Sequence, residues 1–126
     1  MKASVRVVSL TTEGLGKQEK HGKRLDDTSQ MRRINDNPPL VMGGLDLQDL
    51  YFQHIKGCKK NASLKKATQH ALLQFPIDLK PTEKNQQEFL KASVEFINKT
   101  YGGNAVFAAR LDRDEAGKHC VDVFFV

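Results

Sequence analysis

Apolar and polar positions divide the 126-residue chain into a short series of strand and helix patterns. Val5-Arg6-Val7-Val8-Ser9-Leu10 is β-branched and partly alternating, which predicts a strand over 3–10. Residues 11–18 contain Thr-Thr, Gly14 and Gly16 and read as a loop. Residues 19–33 are highly polar, with room for a short helix that Gly22 weakens. Pro38-Pro39 and Gly43-Gly44 make 34–46 a loop. Over 46–57, Leu47, Leu50, Tyr51 and Ile55 form one stripe behind a capping Asp46, the pattern of a helix ending at Gly57. Residues 56–66 read as an exposed basic turn. The apolar run Ala71-Leu72-Leu73-Gln74-Phe75 reads as a strand over 68–77, with a helix as the alternative.

The clearest helix covers 82–101. Thr82 caps it, Phe89, Leu90, Ala92, Val94, Phe96, Ile97 and Tyr101 form its apolar face, and Gly102-Gly103 suits a left-handed end. A strand over 104–111, a polar turn and a strand over 119–126 complete a hairpin. The order predicts an α+β layer: an antiparallel sheet with helices on one face. The length suits one domain over 1–126. A chain that stops inside an apolar strand reads as an N-terminal fragment of a longer protein.

Composition adds three constraints. Apolar residues at 39% and charged residues at 28% exclude whole-chain disorder. No apolar run approaches the roughly 20 residues of a membrane span, and the N-terminus lacks a signal-peptide core. Two cysteines, Cys58 and Cys120, make no disulfide framework, so a cytoplasmic protein is expected. The net charge of +5 is unevenly spread. Residues 1–66 hold 13 Lys/Arg against 7 Asp/Glu, whereas 67–126 hold 7 against 8. A basic front of this kind suits a polyanion, and it also suits a solvated Lys-rich surface.

Three constellations carry candidate chemistry. The hairpin turn gathers Asp112, Asp114, Glu115, His119 and Asp122. Carboxylates with an imidazole suit Mg²⁺, Mn²⁺ or Zn²⁺; the alternative is a solvated turn whose charges pair with Arg110, Arg113 and Lys118. His21 lies among Lys17, Lys20, Lys23 and Arg24. Neighbouring cations disfavour a protonated imidazole, and a neutral one is a nucleophile and base; the alternative is an exposed His in a basic loop. The run Lys56, Lys59, Lys60, Lys65, Lys66, with Tyr51 and Phe52 upstream, combines phosphate attraction with possible base stacking. Tyr51 and Phe52 equally suit the core side of their helix. His54 and His70 have no companions along the chain that suggest a role.

Taken together, these segments resemble the Mob/Pre plasmid mobilisation and recombination relaxases. Lys20-His21-Gly22-Lys23-Arg24 is similar to the family's Lys-His-Asn-x-Arg, and Ile34-Asn35-Asp36-Asn37-Pro38 to the Asn/Pro segment after it. Phe96 to Asn104 resembles the helix end and Tyr-Gly-x-x-Asn that precede the family's metal motif, H-x-D-E-x-T-P-H-x-H. Without a gap, Asp112, Asp114, Glu115 and His119 take that motif's first, third, fourth and eighth positions. The departures are Asp112 for the first His, Gly117-Lys118 for Thr-Pro, and Val121 for the last His, with Asp122 one residue on.

The resemblance implies a ferredoxin-like HUH relaxase core that nicks one DNA strand at a transfer origin and stays joined to the 5′ phosphate. It points to His21 as nucleophile, Arg24 as phosphate clamp and Tyr51 as reserve nucleophile. Asp112, Glu115, His119 and Asp122 are the implied ligands of a divalent ion, Mn or Mg rather than Zn because oxygen donors are hard. Side chains alternate along a strand, so His119 and Asp122 share an ion only if the last strand bulges near Cys120-Val121. Lys20, Lys23, Arg32, Arg33, Lys59, Lys60, Lys65 and Lys66 are the expected contacts to single-stranded DNA, and no membrane partner is expected. Two further readings stay open: a non-catalytic single-stranded DNA- or RNA-binding module with a degenerate metal site, and a structural domain.

Overall fold

The structure, a computed structural model, describes residues 5–34, 37–56, 68–76, 78–114 and 120–126. The chain runs β1 (Val5–Leu10), α1 (Thr12–Gly22), α2 (Asp27–Arg32), β2 (Leu40–Met42), α3 (Leu47–His54), β3 (Thr68–Gln74), α4 (Glu83–Thr100), β4 (Val106–Leu111) and β5 (Cys120–Phe125). The strands form one antiparallel sheet in the order β1-β3-β5-β4-β2. The expected pairing of the last two strands is present, with Leu111 opposite Val121 and Arg110 opposite Asp122. The α+β class is therefore as expected.

The α4 helix forms as its pattern predicts. The Thr82 hydroxyl oxygen accepts from the Asn85 amide at 3.1 Å, closing the first turn. Leu90, Val94 and Ile97 meet Ala71, Leu73, Val121, Val123 and Phe125 on one face of the sheet. After the glycine end, the Asn98 side-chain oxygen accepts from the amides of Ala105 and Val106, both at 2.9 Å, and so ties the helix to β4.

The other face is also covered, which corrects the expectation of helices on one side only. Leu15 of α1 and Leu47 and Tyr51 of α3 pack on Phe107, Ala108 and Phe124. The residues read as a loop, 11–18, are most of α1, capped by Thr11, whose hydroxyl oxygen accepts from Gly14 N at 3.0 Å. Its glycines act as clearance rather than as breaks. A Cβ on Gly16 would stand 2.5 Å from Gln48 Nε2, and one on Gly22 would stand 2.7 Å from Arg110 Nη1. The helix surrenders propensity to let α3 and the sheet come close. The 34–46 loop contains one short strand, β2, paired with the Ala109–Leu111 edge of β4. The basic turn expected over 56–66 lies, except for Lys56, outside the described residues.

Candidate functional site

The polar residues that matter stand on the α1 side of the sheet. β4 and β5 are buried on both faces over most of their length, so a charge within either must be paired. Arg110 is 1% exposed and lies directly opposite Asp122. Its Nε is 3.3 Å from Asp112 Oδ2 and 3.9 Å from Asp122 Oδ2. Its guanidinium carbon lies 5.3 Å from the centre of the Phe124 ring, and Nη2 approaches Gln18 Oε1 at 3.5 Å. Sequence reasoning assigned His70 no role and named Arg110 only as a charge partner of the turn's acids, the pairing found here with Asp112. His70 of β3 does have a companion: Nε2 is 2.7 Å from Asp122 Oδ1, and the ring stacks on Phe124 at 4.7 Å. The available signal was positional, since Arg110, His70 and Asp122 each interrupt an apolar strand.

A second ion pair closes the end of α1. Arg24 adopts φ 59 and turns its guanidinium inward. Nε donates to Asp114 Oδ2 at 2.9 Å, Nη2 to Asp114 Oδ1 at 2.5 Å, and Nη1 to the His21 carbonyl at 2.7 Å. Nη2 also lies 3.6 Å from Asp112 Oδ1. The hydrogen bonds from Arg24 hold the Asp114 carboxyl below the usual range, against the opposing effect of burial. Burial pushes the Asp112 carboxyl up, opposed first by the charge of Arg110. Asp112, Asp114 and Asp122 thus alternate in space with Arg24 and Arg110.

His21 sits on the last turn of α1, half-buried, with Nδ1 3.5 Å from Asp26 Oδ2. The carboxylate faces that ring nitrogen. Tyr51 is 3% exposed and packs edge-on against Phe107, so the reserve nucleophile is a core residue. Lys20, Arg32 and Arg33 lie at the surface, with Arg33 Nε 3.6 Å from Asp114 Oδ2, and Lys23 bridges Asp46 at 2.6 Å and Glu19 at 3.7 Å. That bridge raises the Lys23 pKa and engages Asp46, whose carboxylate makes no capping bond to α3. Lys59, Lys60, Lys65 and Lys66 fall outside the described residues.

The implied metal set is half visible. Glu115 and His119 lie outside the described residues, and no cluster of three or more His, Cys, Asp or Glu among the described residues could hold an ion. β5 keeps regular register through Cys120, Val121 and Asp122; the irregularity is in β4, between Val106 and Ala108. The bulge that His119 and Asp122 would need in order to share an ion is not at Cys120-Val121. Asp112 and Asp122 converge, but on the Arg110 guanidinium. A divalent ion about 4 Å from that cation would be repelled by about 8 kcal/mol at an effective dielectric near 20. As arranged, the two carboxylates do not fit a divalent ion.

The chain's fold matches solved relaxase domains. The MobM relaxase domain (MOBV; Mob_Pre) bound to plasmid pMV158 oriT DNA of 22 nucleotides, Mn-bound at pH 4.6, superimposes with a TM-score of 0.73 at 16% identity, covering 98% of this chain and 70% of that one. This is a relaxase fold. The same domain with a 3′-thiophosphate, Mn-bound at pH 6.8, gives 0.73 at 17% identity over 98% and 69% of the two chains. Bound to a 26-nucleotide oriT DNA it gives 0.68 at 15% over 100% and 69%. No protein-family model matches the chain, and no curated protein does. Among the described residues, no helix is long and apolar enough to cross a membrane.

Proposed function

We propose that this chain is a relaxase domain that cuts and rejoins one DNA strand at a plasmid transfer origin. The observation that carries the reading is His21. In a fold shared with oriT-bound MobM over 98% of the chain, a half-buried imidazole stands on the last turn of α1 with Nδ1 beside the Asp26 carboxylate. In the proposed step the Nε2 lone pair attacks phosphorus, and the bond from phosphorus to the 3′ oxygen breaks. The products are a free 3′ hydroxyl, protonated from water, and a 5′ phosphate held on His21. Attack by the 3′ hydroxyl reverses the step and rejoins the strand.

Lys20, Arg32 and Arg33, all at the surface near α1 and α2, are the described cations suited to holding the strand, and Lys59, Lys60, Lys65 and Lys66 are further candidates from the sequence. Lys23 acts within the chain, between α1 and α3. Arg24 acts through Asp114 rather than on phosphate. The similar MobM domains are Mn-bound, and a Mn or Mg ion at Asp112, Glu115, His119 and Asp122 is what the resemblance implies. No step is routed through that ion, because Arg110 engages the two described carboxylates. The substrate, plasmid DNA, implies a cytoplasmic protein, and one shared sheet suits a single domain over 1–126.

The inward turn of Arg24 and the pairing of Asp112 favour a second reading, a non-catalytic single-stranded DNA- or RNA-binding module on this fold. One experiment separates the two. Incubation with a single-stranded transfer-origin oligonucleotide, followed by denaturing electrophoresis, is expected to yield a protein–DNA adduct that His21→Ala lacks. Retained oligonucleotide binding with no adduct from the unaltered chain would favour the module.

A further inference from the structure

We propose that the Arg110 guanidinium is the resident cation of this site, occupying the space between Asp112 and Asp122 and excluding a divalent ion from them. Its role at an incoming phosphate rests on the relaxase reading; its exclusion of the ion does not.

Four observations lead to it. The guanidinium stands within 3.3 Å of Asp112 and 3.9 Å of Asp122, so one cation already answers both carboxylates. It is fixed there, because the residue is 1% exposed and its guanidinium packs on Phe124. His70 takes the other oxygen of Asp122 at 2.7 Å, and Arg24 approaches the other oxygen of Asp112 at 3.6 Å. Finally, Nη1 has no hydrogen-bond partner among the described residues and abuts Gly22, where a Cβ would stand 2.7 Å away. Gly22 directly follows His21, so the cation lies beneath the turn that carries the proposed nucleophile.

The ionised Asp112 carboxylate gains a charge-assisted pair with Arg110. A buried guanidinium that belongs to the chain also needs no entry path. Screened little by solvent, its field would reach a phosphate at the α1 end without direct contact.

The test uses the full chain and Mn²⁺ as the probe. The free Mn²⁺ electron-spin-resonance signal is expected to keep its amplitude on addition of the protein, and Mn²⁺ should leave the melting temperature unchanged. Arg110→Met keeps a comparable stem over Phe124 and removes the charge; it should raise Mn²⁺ affinity roughly tenfold or more, and Asp122→Asn in that background should cancel the gain. A folded Arg110→Met protein with no gain would overturn the proposal. Should that variant not fold, the unaltered chain decides: loss of Mn²⁺ signal that Asp112→Asn restores would overturn it. Adduct formation is expected to persist in EDTA, and adduct that appears only with Mn²⁺ would also count against it. Absence of adduct under every condition would count against the relaxase reading instead, with the Mn²⁺ measurement still deciding the role of Arg110.

Discussion

Arg24 and Asp114, ninety residues apart, form a two-point ion pair with N–O distances of 2.9 and 2.5 Å. Asp114 also accepts from the Ile34 amide through its carbonyl, at 2.7 Å. Asp114, three residues past the end of β4, therefore anchors both the end of α1 and the segment just after α2. The two side chains are 10% and 9% exposed, so the pair is shielded from solvent. Truncating Arg24 removes both short contacts of Asp114 and leaves only Arg33 at 3.6 Å, at a cost of up to about 3 kcal/mol. Arg24→Ala is expected to lower the urea midpoint accordingly, and Arg24→Lys to lose part of that through the missing second contact. Unchanged stability with weakened DNA binding would restore Arg24 as a phosphate clamp.

The same pair sets an acid response. Arg24 depresses the Asp114 pKa, so the stabilisation is present above the ordinary carboxylate value, about 3.9, and fades as pH falls through the folded value. Asp112 acts in the opposite sense: burial raises its pKa, so ionisation lowers stability between the ordinary value and the raised one. Urea midpoints measured between neutral and acid pH should fall less steeply below the ordinary value for Asp114→Asn than for the unaltered chain. Parallel curves would remove Arg24–Asp114 as the cause.

Gly16 and Gly22 belong to one helix but predict different outcomes. Alanine in place of glycine favours a helix by about 1 kcal/mol. At Gly16 the new Cβ meets the far end of Gln48, a half-buried side chain that can swing away. Gly16→Ala is expected to be neutral or stabilising. At Gly22 it meets the Arg110 guanidinium, held among Phe124, Asp112 and Asp122. Overpacking there costs typically 1–3 kcal/mol, so Gly22→Ala should be net destabilising. Thermal melts of the two variants, compared with the unaltered chain, check the contrast.

These glycines also explain what was legible in the sequence. α4, β3 and the β4–β5 hairpin follow from apolar spacing because tertiary packing rewards the same positions that local pattern marks. α1 was hidden because Gly14 and Gly16 carry the local signal of a turn, whereas Gly16 serves a helix–helix contact that no local pattern reveals. His21 and Asp112 were visible as motif residues. Arg110 was visible only as a charge partner of the turn's acids and His70 not at all, since their links to Asp122 cross between strands: Arg110 opposite it, and His70 diagonal to it. Tyr51 shows the converse, a chemically suggestive residue whose helix face turns it into the core.

The nucleophile assignment gives a paired prediction. His21→Ala should abolish the covalent adduct and leave oligonucleotide affinity close to that of the unaltered chain, because the imidazole contributes bond formation rather than charge. Tyr51→Phe should retain the adduct, since a side chain only 3% exposed under Phe107 cannot reach phosphorus without unpacking α3. Adduct from His21→Ala but not from Tyr51→Phe would reverse the assignment.

The surface cations make the last prediction. Binding of a single strand releases roughly 0.7 counterion per neutralised phosphate, so affinity should fall steeply as salt rises. Lys20 and Arg32 are exposed on neighbouring helices at the same end of the chain as His21. Lys20→Gln and Arg32→Gln should each weaken binding and reduce the log–log salt slope by somewhat under one, with no change in thermal stability. Lys23→Gln should behave in the reverse way. Its ammonium bridges Asp46 and Glu19 between α1 and α3, so its loss should lower the melting temperature and leave the salt slope unchanged. Fluorescence anisotropy over a salt series reads the slope, and melts of the same samples read stability. A slope that stayed the same in all three variants would move the DNA contacts away from α1 and α2, leaving the lysines of 59–66 as the remaining candidates.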